Sequence, residues 1–185
     1  MVNEIEGGFE EERSWYTFDD GFMQKLLEFL LKQECKSVVD FGCGGGHYVE
    51  YLNENGIYSF GFDANRKVTT FTDGLCGVLD LRSFFILPEK LKADWVISFD
   101  VGEHISKEFE ENFITTLHEN NKKGIVLSWA RKGQRGNGHV NCQDQDYLKE
   151  IFNRLGYTNL LEEELALRKH SKVGYLKRGI MVFKK

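Results

Sequence analysis

Short apolar runs and longer polar segments alternate along most of the 185-residue chain. Five runs rich in valine, isoleucine, leucine and phenylalanine have the length and composition of buried strands. They occupy residues 37–41, 58–63, 77–81, 94–101 and 124–129. Strands that alternate with polar, partly helical segments predict an α/β fold with a parallel sheet.

Four other segments have the apolar spacing of helices, at residues 18–33, 47–55, 103–119 and 143–155. Asp19 or Asp20 can cap the first helix, because aspartate accepts a hydrogen bond from a free N–H at a helix start. Gly56 stands where the second helix would end. Residues 157–167 and 175–183 predict two final strands that pair antiparallel, which brings the expected sheet to seven strands.

The turn after the first predicted strand is the most informative local feature. Residues 40–46 read Asp-x-Gly-x-Gly-x-Gly and lie between a strand and a helix. Glycines let the backbone turn sharply and approach a ligand closely, and the helix start offers unpaired N–H groups. A dinucleotide site would need a glycine at position 47, where the chain has His47. The loop therefore suits an adenosine-type ligand, and a nicotinamide oxidoreductase would need a different glycine pattern.

Carboxylates also end the second and third predicted strands. Asp63 follows Asp40 by 23 residues (63 − 40), and a carboxylate at such a distance can accept both hydroxyls of a ribose. Asp80 lies at the end of the third run. The alternative is that all three are ordinary turn or capping residues, since aspartate is common at both.

Together these features resemble the class I S-adenosylmethionine-dependent methyltransferases, over most of the chain. The resemblance implies a three-layer, Rossmann-like α/β fold with helices on both faces. Its sheet has seven strands, mostly parallel, with the last strand antiparallel. The implied cofactor is S-adenosylmethionine, and the implied activity is methyl transfer.

The resemblance also implies which residues hold the cofactor. Asp40 and the loop glycines lie at its methionine end, and Asp63 accepts the ribose hydroxyls. Asp80 accepts the adenine amino group while Leu81 packs on the ring. With the end of the fourth strand, the implied set is Asp40, Gly42, Gly44, Gly46, Asp63, Asp80, Leu81, Phe99 and Asp100.

Residues that would surround the transferred methyl group follow the fourth and fifth strands, because ligands of such folds bind at the carboxyl ends of the strands. Residues 130–142 form a glycine-rich loop that can act as an active-site lid. His139 in this loop is the first candidate for a catalytic base, followed by His104 and Glu103. The alternatives are a loop histidine bonded to backbone and a pair that orients the preceding turn.

A variant of this hypothesis uses a metal ion. Asp100-x-x-Glu103-His104 is similar to the Glu-x-x-Glu-His of some O-methyltransferases of ubiquinone biosynthesis and of small-RNA ends. With His139, these residues would offer a mixed oxygen and nitrogen site for a divalent ion. Asp100 is one methylene shorter than the glutamate of that motif, and many methyltransferases have Glu-His there without a metal. The main hypothesis therefore has no metal ligands.

Residues 1–18 are expected to form an N-terminal cap. Trp15 and Tyr16 can close over the cofactor or the acceptor, because aromatic faces attract a sulfonium as they attract other cations, and Tyr16 is a further predicted cofactor-binding residue. Packing against the sheet is the alternative. Trp95 and Trp129 lie inside predicted strands and are expected in the core.

Composition adds limits to this hypothesis. One domain over residues 1–185 is expected, with no signal peptide and no apolar run near the roughly 20 residues of a membrane span. We therefore expect a soluble, cytoplasmic protein, a monomer or weak homodimer. The spacing of its four cysteines, at positions 35, 43, 76 and 142, favours reduced thiols.

Charge bears on the partner. The net charge of −5 gives no general attraction to nucleic acid, although residues 168–185 hold seven Lys or Arg and no acid. Lysines near a sheet edge, which deter strand pairing, are the simpler explanation of that segment. The sequence therefore predicts transfer of a methyl group to an oxygen or nitrogen of a small-molecule acceptor. A non-catalytic protein that only binds the cofactor is the remaining alternative.

Overall fold

The computed structural model describes residues 12–185 and the backbone of residues 2–3 and 8–9. Val2–Asn3 and Gly8–Phe9 form a short antiparallel pair that is separate from the main sheet. The predicted cap, residues 1–18, is therefore described only in part, and residues 1, 4–7 and 10–11 of it lie outside the described chain.

The main sheet has seven strands and confirms the predicted fold class. They are β1 (Ser37–Phe41), β2 (Tyr58–Asp63), β3 (Cys76–Val78), β4 (Ala93–Ser98), β5 (Asn121–Leu127), β6 (Thr158–Asn159) and β7 (Met181–Lys184). Their order is β3-β2-β1-β4-β5-β7-β6. The strands from β1 to β5 pair in parallel, and β7 is antiparallel to β5 and β6.

Helices cover both faces of this sheet. They are α1 (Asp20–Lys32), α2 (His47–Glu54), α3 (Val68–Phe71), α4 (Glu110–Glu119), α5 (Gln145–Arg154), α6 (Leu161–His170) and α7 (Gly174–Gly179). Successive strand residues point to opposite faces, so that Val38 packs with α1 and α2 while Val39 packs with α4 and α5. Trp95 and Trp129 are buried in these two cores, as predicted.

The two predicted final strands are mostly wrong. Residues 157–167 give only the two-residue β6 before α6 begins, and residues 175–183 begin as α7 and become strand at Met181. Helix α6 has three glutamates in its first turn and Arg168, Lys169 and His170 in its last turn, a distribution that the helix dipole favours. The charges at its two ends therefore favour a helix here, although the apolar alternation had predicted a strand.

The helix predicted from residue 103 begins instead at Glu110, after two short 3₁₀ turns, Gly102–His104 and Lys107–Phe109. In an α-helix the carbonyl of Glu103 would accept from the N–H four residues later. Here it accepts from the N–H groups of Val140 (2.9 Å) and Asn141 (3.0 Å). The glycine-rich loop thus holds residues 102–104 in a turn.

Other boundaries shift by a few residues. The third strand ends at Val78 rather than at residue 81, and the fourth ends at Ser98. Asp19 is the N-cap of α1, accepting from the N–H of Phe22 at 3.1 Å. The four cysteines are free thiols, as predicted. In the part of the chain that the structure describes, no helix combines the length and the apolar character that crossing a membrane requires.

Candidate active site

The glycine loop lies at the carboxyl end of β1 and is held against β2. Gly42, Gly44 and Gly46 all have positive φ, at 91°, 54° and 77°. The N–H of Gly42 donates to the carbonyl of Phe62 at 2.7 Å, and the N–H of Gly44 donates to the Asp63 carboxylate at 2.8 Å. Left-handed backbone of this kind favours glycine, so the loop depends on these residues.

Steric contacts, in addition to backbone conformation, restrict which residues the loop can contain. A Cβ built on Gly44 would overlap the ring of Tyr16, and one on Gly42 would overlap the side chain of Val101. Gly46 packs away from the loop opening, where a Cβ would overlap the methyl group of Thr72. Gly42 and Gly44 thus allow close approach in front of the sheet, whereas Gly46 serves packing.

A cavity of about 250 Å³ opens in front of this loop, at the carboxyl ends of β1, β2 and β4. Most of the predicted site residues line it, namely Tyr16, Asp40, Gly42, Gly44, Asp63, Leu81, Phe99, Asp100 and His104. Four predicted residues do not line it: Gly46, Asp80, Glu103 and His139. The sequence also missed several lining residues, including Cys43, His47, Ile105, Tyr175 and Leu176.

Asp40 is a buried carboxylate at the cavity wall. It is 1% exposed, and its Oδ1 has no hydrogen-bond partner among the described residues. Burial, with smaller contributions from Cys76 and Asp63, raises the pKa of Asp40 well above its usual value. A cationic group in the cavity would satisfy this carboxylate, and the ammonium of a methionine end has that charge.

Asp63 is fixed by backbone at the end of β2. Its two oxygens accept from the N–H groups of Gly44 and Asn65, each at 2.8 Å. Burial raises the pKa of Asp63, and these two hydrogen bonds oppose the rise. An ionised carboxylate has about four lone-pair sites, so two remain for a pair of ribose hydroxyls.

Asp80 does not line the cavity and is paired with Arg82. Arg82 donates to its carboxylate from Nε at 2.9 Å and from Nη2 at 2.6 Å. Burial alone would raise the pKa of Asp80, but Arg82 lowers it below the usual value. The neighbouring Leu81 lines the cavity instead, so the adenine contact of Asp80 stays a prediction.

The described part of the N-terminal cap lies over the cavity. Tyr16 packs on Gly44, and its hydroxyl accepts from Nδ2 of Asn65 at 2.9 Å. Arg13 forms an ion pair with Glu50 of α2. Trp15 lines the cavity and is 72% exposed, so it does not pack into the core. The segment fits the predicted cover rather than the core alternative.

Apolar and aromatic side chains from two other parts of the chain also line the cavity. Val101 and Ile105 come from the turns after β4, while Tyr175 and Leu176 come from α7. The predicted strand at residues 175–183 would not have placed Tyr175 and Leu176 here. His104 also lines the cavity and is the catalytic candidate that does so.

Glu103, His104 and His139 form a cluster beside the cavity. One ligand atom from each lies within 4.8 Å of the others. Glu103 is fully buried, and its Oε1 accepts from the N–H of Ala130 at 3.1 Å while its Oε2 has no partner among the described residues. Burial raises the pKa of Glu103 well above its usual value, and the charge of Asp100 and a hydrogen bond between the two carboxyl groups raise it further.

Each of the two histidine rings has a backbone carbonyl oxygen close to its Nδ1. Nδ1 of His104 lies 3.1 Å from the carbonyl oxygen of Gly138, and Nδ1 of His139 lies 3.2 Å from that of Gln134. A neutral ring that donates from Nδ1 has its lone pair on Nε2. Burial lowers the pKa of His104, which favours this neutral form. The ring centroids are 5.1 Å apart.

These three side chains fit a divalent cation. One carboxylate and two imidazoles are a common donor set, and backbone carbonyls on the far ring nitrogens are the usual way of orienting histidine ligands. Oε2 of Glu103 is buried and accepts from no N–H or O–H donor of the described residues, so a proton shared with the neighbouring Asp100 carboxyl group, or a cation, would satisfy it. Asp100, the fourth predicted ligand, lines the cavity but is outside this cluster.

The sequence profile of a family described as a methyltransferase domain matches residues 15–162. This match confirms the resemblance drawn from the glycine loop and the acidic strand ends. No protein with a curated description matches the chain significantly.

Solved structures with the same fold include three methyltransferases. Magnesium protoporphyrin IX methyltransferase from Synechocystis PCC 6803 with bound S-adenosylmethionine superposes with a TM-score of 0.63, at 18% identity over 89% of this chain and 78% of that one. A SAM-dependent methyltransferase from Archaeoglobus fulgidus gives 0.57 at 20% identity, covering 88% and 94% of the two chains.

The third is 1,6-didemethyltoxoflavin-N1-methyltransferase from Burkholderia thailandensis, with bound 1,6-didemethyltoxoflavin and S-adenosylhomocysteine. It gives a TM-score of 0.59 at 12% identity, over 94% of this chain and 81% of that one. At identities this low, the likeness establishes the fold alone.

Proposed function

Because the chain belongs to the class I methyltransferase family, we propose that it transfers the methyl group of S-adenosylmethionine to an oxygen or nitrogen of a small-molecule acceptor. The observation that supports binding of S-adenosylmethionine is the unsatisfied, buried Asp40 carboxylate beside the glycine loop. The same cavity is also lined by His104 and by apolar side chains, which supports binding of an acceptor next to the cofactor.

Different residues along the cavity bind different parts of the cofactor. Asp40 attracts the cationic methionine end, Asp63 accepts from the ribose, and Leu81 packs on the base. When bound, the cofactor supplies an electrophilic methyl group on a sulfonium. The apolar side chains of the cavity exclude water from the acceptor, which leaves its attacking atom poorly solvated and correctly placed.

His104 is the group that takes the acceptor's proton. It lines the cavity, and burial lowers its pKa, so the ring is neutral and able to accept a proton near pH 7. His139 lies behind it, with the two ring centroids 5.1 Å apart, and positions the His104 ring. This order of the two histidines differs from the sequence-based preference for His139.

A small acceptor is supported by the walls of the cavity. Val101, Ile105 and Leu176 are apolar, and Trp15 and Tyr175 add aromatic faces. Two of the structurally similar methyltransferases have small molecules in their names, a magnesium porphyrin and a toxoflavin precursor. The acceptor we propose has an apolar or aromatic body with one hydroxyl or amino group.

The test is methyl transfer from radiolabelled S-adenosylmethionine to a panel of phenols, catechols, aryl amines and carboxylic acids. We expect turnover with at least one class, and a loss of about 10²-fold or more in kcat for His104→Ala with unchanged affinity for S-adenosylhomocysteine. His170→Ala, at an exposed histidine outside the site, is the control. Cofactor binding without transfer to any acceptor would favour a non-catalytic binding protein.

A metal-assisted O-methyl transfer is the second candidate. The observation that favours it is the cluster of Glu103, His104 and His139, with ligand atoms within 4.8 Å and an unpartnered Glu103 oxygen. These residues would hold a divalent ion, and such an ion orients and acidifies an acceptor hydroxyl. In this variant His104 would be a ligand rather than a base, and Glu103, His104 and His139 would hold the ion that supplies the acidification of the hydroxyl.

Cobalt(II) titration distinguishes the two variants without an acceptor. If the cluster binds metal, visible d–d absorption should saturate at one equivalent, and Glu103→Gln and His139→Ala should abolish it. His118→Ala, at a half-buried histidine of α4 that is not part of the cluster, should leave the spectrum unchanged. No cobalt spectrum, together with turnover that is indifferent to chelators, would leave the metal-free mechanism.

A further inference from the structure

Two thiols meet between the glycine loop and the third strand. Cys43 lies between Gly42 and Gly44, and Cys76 is the first residue of β3. The register of β2 and β3 pairs Gly61 with Cys76, so that these two residues lie side by side and face the same side of the sheet. A Cβ built on Gly61 would lie 2.8 Å from Cβ of Cys43 and 2.9 Å from its Sγ. Cys43 therefore fills the space beside the Cys76 side chain.

Both thiols are enclosed by apolar side chains. With Val49 and Val68 they form a small core cluster of their own, in which Cys43 is 9% exposed and Cys76 is 2% exposed. A hydrogen bond from the Cys43 thiol lowers the pKa of Cys76, while burial raises the pKa of Cys43 well above its usual value. Cys76 is therefore the first of the two to become a thiolate, and a second thiol lies in the same buried cluster.

The two cysteines differ in their access to the cavity. Cys43 lines the cavity in which we place the cofactor, whereas Cys76 does not. The neighbouring Gly44 donates its N–H to Asp63 at 2.8 Å, so a shift of Cys43 would move a cofactor-binding contact. A bound cofactor would also cover the open side of Cys43. Oxidation of the pair and cofactor binding would thus compete.

We propose that Cys43 and Cys76 form a reversible disulfide in the presence of a peroxide, and that this bond weakens cofactor binding. The sulfur–sulfur bond forms as both S–H bonds break, and the two electrons and two protons reduce one hydrogen peroxide to two water molecules. Because binding free energies are reciprocal, a disulfide that weakens the cofactor is itself disfavoured by bound cofactor. The pair would make methyl transfer sensitive to oxidants.

The first experiment is peptide mapping of the full chain after treatment with hydrogen peroxide and alkylation of the remaining thiols. Trypsin places Cys43 in residues 37–66 and Cys76 in residues 68–82. We expect these two peptides to appear joined, lighter than their sum by two hydrogen atoms, and to separate on reduction. Cys35 and Cys142, in other tryptic peptides, serve as internal controls.

The second experiment is calorimetry with S-adenosylhomocysteine on reduced, oxidised and re-reduced protein. We expect about tenfold weaker affinity after oxidation, within the usual range of coupling between sites, and recovery on reduction. Cys76→Ser should bind like the reduced protein whether or not it has been treated with peroxide. Cys142→Ser should behave like the unaltered chain.

Two results would overturn the proposal. One is that peroxide oxidises Cys142 while Cys43 and Cys76 stay unjoined. The other is that the joined peptides form in full but the affinity for S-adenosylhomocysteine does not change. Since peptide mapping needs no cofactor, the first result is independent of whether the proposed methyl transfer is correct.

Discussion

At the scale of single residues, Gly44 separates cofactor binding from folding most clearly. Its φ is 54°, and a Cβ there would overlap the Tyr16 ring at the cavity wall. Gly56 also has a positive φ, of 81°, but a Cβ there would meet nothing within 4 Å. The two glycines thus share the backbone strain and differ in what an added methyl group would touch.

Gly56→Ala should therefore lose about 1–2 kcal/mol of unfolding free energy, the cost of left-handed backbone for a residue with a Cβ, and Gly44→Ala should lose at least as much because its Cβ also meets the Tyr16 ring. Only Gly44→Ala should also lose affinity for S-adenosylhomocysteine, by tenfold or more. Urea denaturation and calorimetry on the two variants measure this. Equal affinities would mean that the cofactor does not approach the loop at Gly44.

Asp63→Ala tests the ribose contact. Hydrogen bonds to charged groups contribute about 1.5–3 kcal/mol, so the affinity for S-adenosylhomocysteine should fall by about 2 kcal/mol, roughly 30-fold. Asp146→Ala, at an exposed aspartate of α5, is the matched control. An affinity of Asp63→Ala that equals the control would remove Asp63 from the site.

The raised pKa of Asp40 predicts a pH dependence of stability. For an acid whose pKa is higher in the folded protein, the favourable contribution is complete below about pH 4 and is lost as pH rises through the raised pKa. Asp40→Asn removes this titration. The unfolding free energy of the variant minus that of the unaltered chain should therefore increase from pH 4.5 to pH 8. Urea denaturation across this range measures the difference. A difference that is constant with pH would contradict the buried, unpaired state of Asp40.

Single residues were predictable where a motif fixed them. The spacing of Asp40, the loop glycines and Asp63 identified five of the ten predicted cofactor residues, and all of these five except Gly46 line the cavity. Sequence could not show that Arg82 binds Asp80 or that Tyr175 reaches the site, because both depend on how loops pack.

At the scale of elements, one buried carboxylate joins α1 to the segment between α6 and α7. Asp19 accepts from the N–H of Phe22 at 3.1 Å, and across the chain from the hydroxyl of Ser171 (2.8 Å) and the N–H groups of Lys172 (2.8 Å) and Val173 (3.0 Å). Burial would raise the pKa of Asp19, but these hydrogen bonds together lower it. The contact holds α7, and with it Tyr175, at the cavity.

Asp19→Ala should therefore lose about 2–3 kcal/mol of unfolding free energy at pH 7, the effect of a helix cap with further hydrogen bonds left unpaired. For a lowered pKa the contribution is present above about pH 4 and is lost as pH falls through the folded value. The loss in the variant should thus shrink in acid. Asp20→Ala, at the exposed neighbour that pairs with Lys172, should cost little at either pH.

The elements themselves were predictable to different degrees. Strands β1, β2, β4 and β5 have buried apolar runs that only a sheet can cover, and these were found with shifts of a few residues. Residues 161–170 alternate weakly in hydrophobicity, and the helix there buries Glu164 in ion pairs with Lys149 and Arg168. Arg168 lies one turn along the same helix, whereas Lys149 comes from α5 by tertiary packing, so the hydrophobic pattern alone favoured the wrong structure.

At the scale of the whole molecule, charge and ligand binding can be considered together. Basic side chains in residues 168–185 find partners within the protein, for example Arg168 with Glu164 and Lys172 with Asp20. These contacts show that some of the basic side chains form ion pairs within the protein, and the absence of a nucleic-acid partner stays a prediction. Fold class and cavity position followed from the order of the strands, whereas the acceptor follows from no pattern in the sequence.

A ligand that binds only the folded protein should stabilise all of it if residues 1–185 form one domain, as predicted. At 100 times its dissociation constant, S-adenosylhomocysteine should add about 2.7 kcal/mol, which corresponds to a rise in Tm of roughly 5–11 °C for a chain of this size. Scanning calorimetry should show one transition that shifts as a unit. Two transitions, of which one shifts, would show that the chain has separate units.

The most direct test of the central claim is calorimetric titration of the cofactor-free protein with S-adenosylmethionine and S-adenosylhomocysteine. The account predicts one site per chain for each ligand, with micromolar affinity that Asp63→Ala and Gly44→Ala weaken. If neither ligand binds to the folded, unaltered protein, the glycine loop is a structural turn only, and the methyltransferase activity proposed for this chain falls with it.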